Sequence, residues 1–166
     1  MEISTFSQFL NQFITGQNLA ITGAVLDATL AGIGIAKGVA LVGEASSGML
    51  SEDPSKFGKA LLLQALPGTQ GIYGLITAFL ILFKIGVIGT PQDISVIDGV
   101  YFLLSSLPIA IVGLRSAVLQ GRVAASGIHL IAKRPGEVGK AITQAALVET
   151  YAIFALLISL LPILFY

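Results

Sequence analysis

The sequence predicts an all-α membrane protein of four transmembrane helices, formed by a duplicated helical hairpin. Three observations predict it. Charged residues make up only 11% of the 166 residues while 55% are hydrophobic, whereas a soluble domain carries about 25% charged residues. Four apolar windows each supply the ~20 residues that a membrane helix needs. Shifting the chain by 81 positions lays one half on the other. The same composition excludes other classes. The absence of Cys removes disulfides, thiolate metal sites and Cys nucleophiles, and zero net charge leaves no basic footprint for nucleic acid.

Residues 1–16 are an N-terminal lead-in. They have no basic stretch and no small-residue cleavage site after an apolar core, so they read as a polar or interfacial segment rather than a cleaved signal peptide. The first hairpin, 17–86, contains a span from about Gln17 to Gly48 and a second from Gly58 to Ile85. A loop, 87–95, follows. The second hairpin, 96–166, contains spans from Val96 to Ala132 and from Val138 to Phe165. Between spans stand Ser51 to Lys56, Gly86 to Ser95 and Lys133 to Glu137, where Gly, Pro and charge supply turn chemistry. Lys56, Lys59, Lys133, Arg134 and Lys140 fall at the first and third turns, while the middle turn has Lys84 beside Asp93 and Asp98. The positive-inside rule therefore places the hairpin turns 49–57 and 133–137 in the cytoplasm, with loop 87–95 and both termini external.

The duplication is read directly. Pro54 lies on Pro135, Gly58 on Gly139, Lys59 on Lys140, Leu66 on Leu147 and Thr69 on Thr150. Both copies have the same orientation, because two spans return the chain to its starting side, unlike the inverted repeats of many secondary transporters.

One carboxylate breaks the symmetry: Glu149 stands where the first copy has Gly68. It lies roughly 16 Å into its span at 1.5 Å per residue, near the middle of a hydrocarbon layer about 30 Å thick. An intramembrane acid without a counter-charge costs several kcal/mol and marks ion or proton pathways. At the matching depth of the second span, Pro67 cannot donate a backbone hydrogen bond and bends the helix. Leu66, Thr69, Gln70 and Tyr73, spaced by three and four, bring a carbonyl, a hydroxyl, an amide oxygen and a phenol to one face. Gln120 lies about 15 residues before Pro135 and Glu149 about 14 after it, so the two are level across the second hairpin. One carboxylate with amide, hydroxyl and carbonyl oxygens suits a hard monovalent cation. A proton carrier needs only the acid, so the surplus of oxygens favours sodium over the proton. Tyr73 can donate to the carboxylate and lock its rotamer.

The stretches Leu66-Pro67-Gly68-Thr69-Gln70-Gly71-Ile72-Tyr73-Gly74, Leu119-Gln120-Gly121-Arg122-Val123-Ala124-Ala125 and Leu147-Val148-Glu149-Thr150-Tyr151-Ala152-Ile153 carry a family resemblance. The chain resembles the four-helix proteolipid rotor subunit of bacterial vacuolar-type rotary ATPases over about residues 20–165. The resemblance implies a homo-oligomeric rotor ring in the cell membrane that works with a stator subunit and central-stalk subunits. Each subunit would be non-catalytic and carry one ion. In sodium-coupled members the ion would be held at Leu66, Thr69, Gln70, Gln120 and Glu149, with Tyr73 supporting the carboxylate.

Other features have plainer readings. Gly23, Gly32, Gly34, Gly38 and Gly43 suit close helix packing, and Gly32 to Gly38 lacks the ending of a phosphate loop. His129 near a basic turn is an interfacial side chain. Asp27 with Arg115, and Glu44 with Arg122, are expected to pair between inner helices, while Lys37 has no evident partner. Two rival functions fit the same residues: a stand-alone cation carrier or channel, and a structural membrane subunit in which Glu149 is a protonated packing group.

Overall fold

The computed structural model describes residues 6–166, so the first five residues of the lead-in lie outside it. Within the described residues the lead-in is helical over α1, Phe6–Phe13. Four spans follow: Gly16–Glu52, Pro54–Lys84, Val96–Lys133 and Pro135–Leu164. The first is the single helix α2 (Gly16–Glu52). The second is a 3-10 turn Pro54–Lys56, α3 (Phe57–Ala65), a 3-10 turn Leu66–Gly68 and α4 (Thr69–Lys84). The third is α5 (Val96–Lys133), and the fourth is a 3-10 turn Pro135–Glu137 leading into α6 (Val138–Leu164).

Local chemistry sets the ends. Thr15 caps α2, its hydroxyl accepting from Asn18 N–H at 3.2 Å. Ser95 and Asp98 form a capping box on α5. Proline ends both long helices, because the residue before it is pushed out of the α region: Asp53 has φ −143° before Pro54 and Arg134 has φ −135° before Pro135. The turns of the two hairpins are thus built alike, as the 81-residue repeat requires. The α2 helix runs on to Glu52, so Ser51 and Glu52, read from sequence as turn residues, are helical. Polar residues there need no turn, because 37 residues at 1.5 Å span about 55 Å and outrun the bilayer. Gly86, at φ +73°, closes α4. The chain there folds back with Val87 N–H donating to Leu82 O and Gly86 N–H to Phe83 O, a Schellman motif.

The first turn also ties the two hairpins together. Lys56 Nζ donates to Ala132 O at 3.0 Å and Lys59 Nζ to Pro135 O at 2.9 Å, placing positive charge on a carbonyl in the last turn of α5 and on one in the 3-10 turn that follows it. Asp53 accepts from the Ser55 hydroxyl at 2.5 Å, which holds its carboxyl below the usual carboxylate range with help from Lys56.

The inner pair is α2 against α5. A Cβ on Gly34 would stand 2.7 Å from Leu114 Cα, one on Gly38 would run into Ala117 O, and one on Gly121 would stand 2.5 Å from Gly38 Cα. Small residues thus let the two backbones touch. Of the glycines expected in this packing, Gly32 meets nothing within 4 Å and Gly43 meets only Gln64. Apolar clusters fill both ends, one around Val42, Leu63, Ile128 and Ile131, the other around Ile81, Ile85, Phe102 and Ile163. Between them lies a layer holding Asp27, Gln70, Thr77 and Gln120, all fully buried. Outward faces carry Leu147, Tyr151, Phe154 and Ile158 in the open, as lipid-facing or subunit-facing surfaces do.

The substitution Gly121→Ala tests the close approach. Alanine gains helix propensity over glycine, yet the Cβ strikes backbone, so thermal unfolding in detergent should show a loss of about 1–3 kcal/mol. Gly48→Ala, with nothing within 4 Å, should hold or raise stability.

Candidate ion-binding site

Pro67 sets the local geometry. It removes one backbone donor, and the chain passes through the Leu66–Gly68 turn before α4 resumes. The backbone N–H of Thr69 closes on Leu66 O, and its hydroxyl reaches the same carbonyl at 3.1 Å. That hydroxyl also lies 3.3 Å from Gln70 Oε1, so its one proton is shared between two acceptors.

From Gln70 the contacts run across the layer. Gln70 Nε2 donates to Gln120 Oε1 at 2.5 Å, and Gln120 Nε2 donates to Glu149 Oε2 at 3.4 Å. Tyr73 O–H donates to Glu149 Oε1 at 2.6 Å. Leu66, Thr69, Gln70, Tyr73, Gln120 and Glu149 are therefore joined in one run of hydrogen bonds across three helices. The level placement of Gln120 and Glu149 expected from their spacing about Pro135 is what lets them touch.

The electrostatics are simple. Glu149 is half-buried and meets two donors but no cationic side chain. The ion pairs among the described residues are Asp53–Lys56 and Glu137–Lys140, both at turns. No group of three or more His, Cys, Asp or Glu side chains is placed to hold a metal ion among the described residues. The site instead offers a single acid with two amide oxygens, a hydroxyl and the carbonyl of the kink. That set is hard, largely neutral and matched in charge to a monovalent cation.

The sequence reading missed Thr77. It is fully buried on α4 and donates to Tyr73 O at 2.9 Å, bracing the turn that holds the phenol; its place four residues after Tyr73 is the signal that could have found it. Ser159 was missed as well. Its hydroxyl accepts Ile109 N–H at 3.1 Å just after Pro108 in α5, tying α6 to α5.

The expected pairing of inner charges is not formed. Gly23 lies on Leu103 and Gly34 on Leu114, a register that puts Arg115 about two turns from Asp27 in depth, and Arg115 is exposed whereas Asp27 is fully buried. Glu44 and Arg122 border one cleft with Lys37 but make no ion pair. Lys37, Arg115 and Arg122 instead line a cavity of about 290 Å³ on the outer side of α2 and α5.

Two like hairpins with a mid-span acid in the second, linked to amide and hydroxyl groups of neighbouring helices, define a membrane-embedded helical-hairpin repeat with a polar site inside it. The chain belongs to the ATP synthase C-subunit family, whose pattern matches residues 22–81 and 103–161, one stretch in each hairpin. It is 48% identical over 149 residues to the V-type sodium ATPase subunit K of Enterococcus hirae, covering 90% of this chain and 92% of the relative. It is 38% identical over 143 residues to the A-type ATP synthase subunit K of Methanocaldococcus jannaschii, covering 86% of this chain but 60% of that protein.

Replacing Tyr73 by Phe removes one of the two donors to Glu149. A side-chain hydrogen bond is worth about 0.5–1.5 kcal/mol, so carbodiimide, which attacks the protonated acid, should label Glu149 about two- to tenfold faster. An unchanged rate would show that the phenol does not hold the carboxylate.

Proposed function

We propose that the chain is a rotor-ring subunit of a V-type ATPase that carries one cation, sodium rather than the proton, at Glu149. The observation that carries the reading is the run of oxygen-bearing side chains that ends on the mid-span acid. The sodium ATPase named among the relatives supports the choice of ion.

On this reading the ion is cargo. Leu66 O, Thr69 Oγ, the amide oxygens of Gln70 and Gln120 and the Glu149 carboxylate hold it, while Tyr73 keeps the carboxylate turned inward. With the ion bound the acid's charge is compensated and the site can face lipid. Without it, the Tyr73 and Gln120 donors partly satisfy the carboxylate. A membrane potential supplies about 2.3 kcal/mol per charge per 100 mV, too little from one ion for ATP chemistry, so many copies must act in sequence. A homo-oligomeric ring turning against a stator subunit and joined to central-stalk subunits meets that need. The subunit itself is non-catalytic: it moves the ion, and the rest of the complex handles ATP. The hairpins 17–86 and 96–166 cross the cell membrane with turns 49–57 and 133–137 cytoplasmic, and the lead-in 1–16 and loop 87–95 external.

Carbodiimide modification, mapped by mass spectrometry at fixed pH with and without sodium, tests this. Glu149 should be labelled, and sodium should protect it. Gln120→Ala should shift the protecting sodium concentration up about tenfold, the equivalent of ~1.4 kcal/mol for one lost ligand. Labelling that follows pH but ignores sodium would make the proton the cargo. No labelling at Glu149 would overturn the site.

A further inference from the structure

A second intramembrane acid lies outside this site. Asp27 on α2 is 0% exposed, and neither carboxyl oxygen has a hydrogen-bond partner. It is closed in by α4 and α5. On α4, Gly74 packs onto it so tightly that a Cβ there would stand 3.0 Å from Asp27 Oδ1. On α5, the register of Gly23 on Leu103 and Gly34 on Leu114 sets Asp27 level with Leu107 and Pro108.

No group at this level serves a carboxylate. The Thr77 hydroxyl on α4 donates to Tyr73 O, and the Ser106 hydroxyl on α5 donates to Leu103 O. The nearest titratable groups on α4 and α6 are Tyr73 and Glu149, which are bonded to each other. On α5, Arg115 is exposed and about two turns away, and on α2 Lys37 is exposed and nearly three turns away. An isolated carboxylate in such surroundings costs so much that the group takes up a proton instead. A carboxylic acid needs only an acceptor, and helix carbonyls one turn back accept from buried hydroxyl groups as a matter of course. Sodium is a poor fit. The side-chain amides of Gln70 and Gln120 bond elsewhere and neither carboxyl oxygen of Asp27 has a partner, in contrast to the oxygen-rich surroundings of Glu149.

We propose that Asp27 is a second cation site of the subunit, specific for the proton, which stays loaded while the Glu149 site exchanges its cargo. Each subunit then holds two unlike cations, one resident and one carried. The resident proton lets an acid sit between α2, α4 and α5 without a counter-charge.

Infrared spectroscopy of the intact, sodium-saturated protein reads this directly. Asp53, Asp93 and Asp98 are at turns or span ends in contact with solvent, and an ordinary aspartate is ionised well below pH 7, its reference value being about 3.9. At about pH 7 a protonated-carboxyl band should remain, should shift when aspartate alone carries carbon-13, and should be lost in Asp27→Asn. The same variant should keep sodium protection of Glu149, which separates this acid from the cargo site. A band that ignores the aspartate label belongs to a glutamate, and no band at all means an ionised Asp27; either result overturns the proposal. Should Asp27→Asn fail to assemble, the isotope shift in the unaltered protein still decides.

Discussion

The structure turns on how a carboxylate is kept in the middle of a hydrocarbon layer. Water cannot solvate it there, so protein groups must. Glu149 receives the Tyr73 phenol from α4 and the Gln120 amide from α5, and those donors are themselves held: Tyr73 by the turn that Thr77 braces, Gln120 by Gln70. The acid thereby fixes the positions of three helices relative to one another. Moving any of them along its axis by one residue, about 1.5 Å, would break the run.

Such precision needs a stiff support, and the glycine contacts between α2 and α5 provide it. Backbones that touch cannot slide without meeting main-chain atoms. Pro67 contributes the opposite property. Where α5 carries Gln120 on an unbroken helix, the second span gives up regular α geometry at Leu66–Gly68 to turn a carbonyl and a hydroxyl toward the site. The two hairpins began as copies, and the chemistry lives where they differ: Pro67-Gly68 in one, Val148-Glu149 in the other.

Much of this was legible in the sequence because membrane helices obey two strong rules, length and internal satisfaction of polar groups. The spans follow from the first, and the clustering of Leu66, Thr69, Gln70, Gln120 and Glu149 from helical spacing and depth. Depth was also what failed. Depth suggests pairing Asp27 with Arg115, but a pair must share a face as well as a level, and Arg115 is exposed while Asp27 is sealed within. The helix α1 was within reach of the sequence, since Phe6, Phe9, Leu10 and Phe13 stand at i, i+3, i+4 and i+7, whereas spacing could not reveal the bond from Ile109 to Ser159, which depends on how α6 rotates against α5.

Asp27 and Glu149 make a contrast that residue type alone would hide. Both are acids within membrane spans, and neither has a basic partner. Glu149 has donors at two oxygens and neutral oxygens beyond them, so its surroundings can serve an anion and, in the role proposed for it, a cation beside that anion. Asp27 is packed against Gly74 with every nearby hydroxyl committed to its own helix, so its surroundings serve only a neutral group. The same functional group is thus divided into two roles by the hydrogen-bond capacity of its neighbours. That capacity, more than the presence of an acid, separates the cargo site proposed at Glu149 from the resident proton proposed at Asp27.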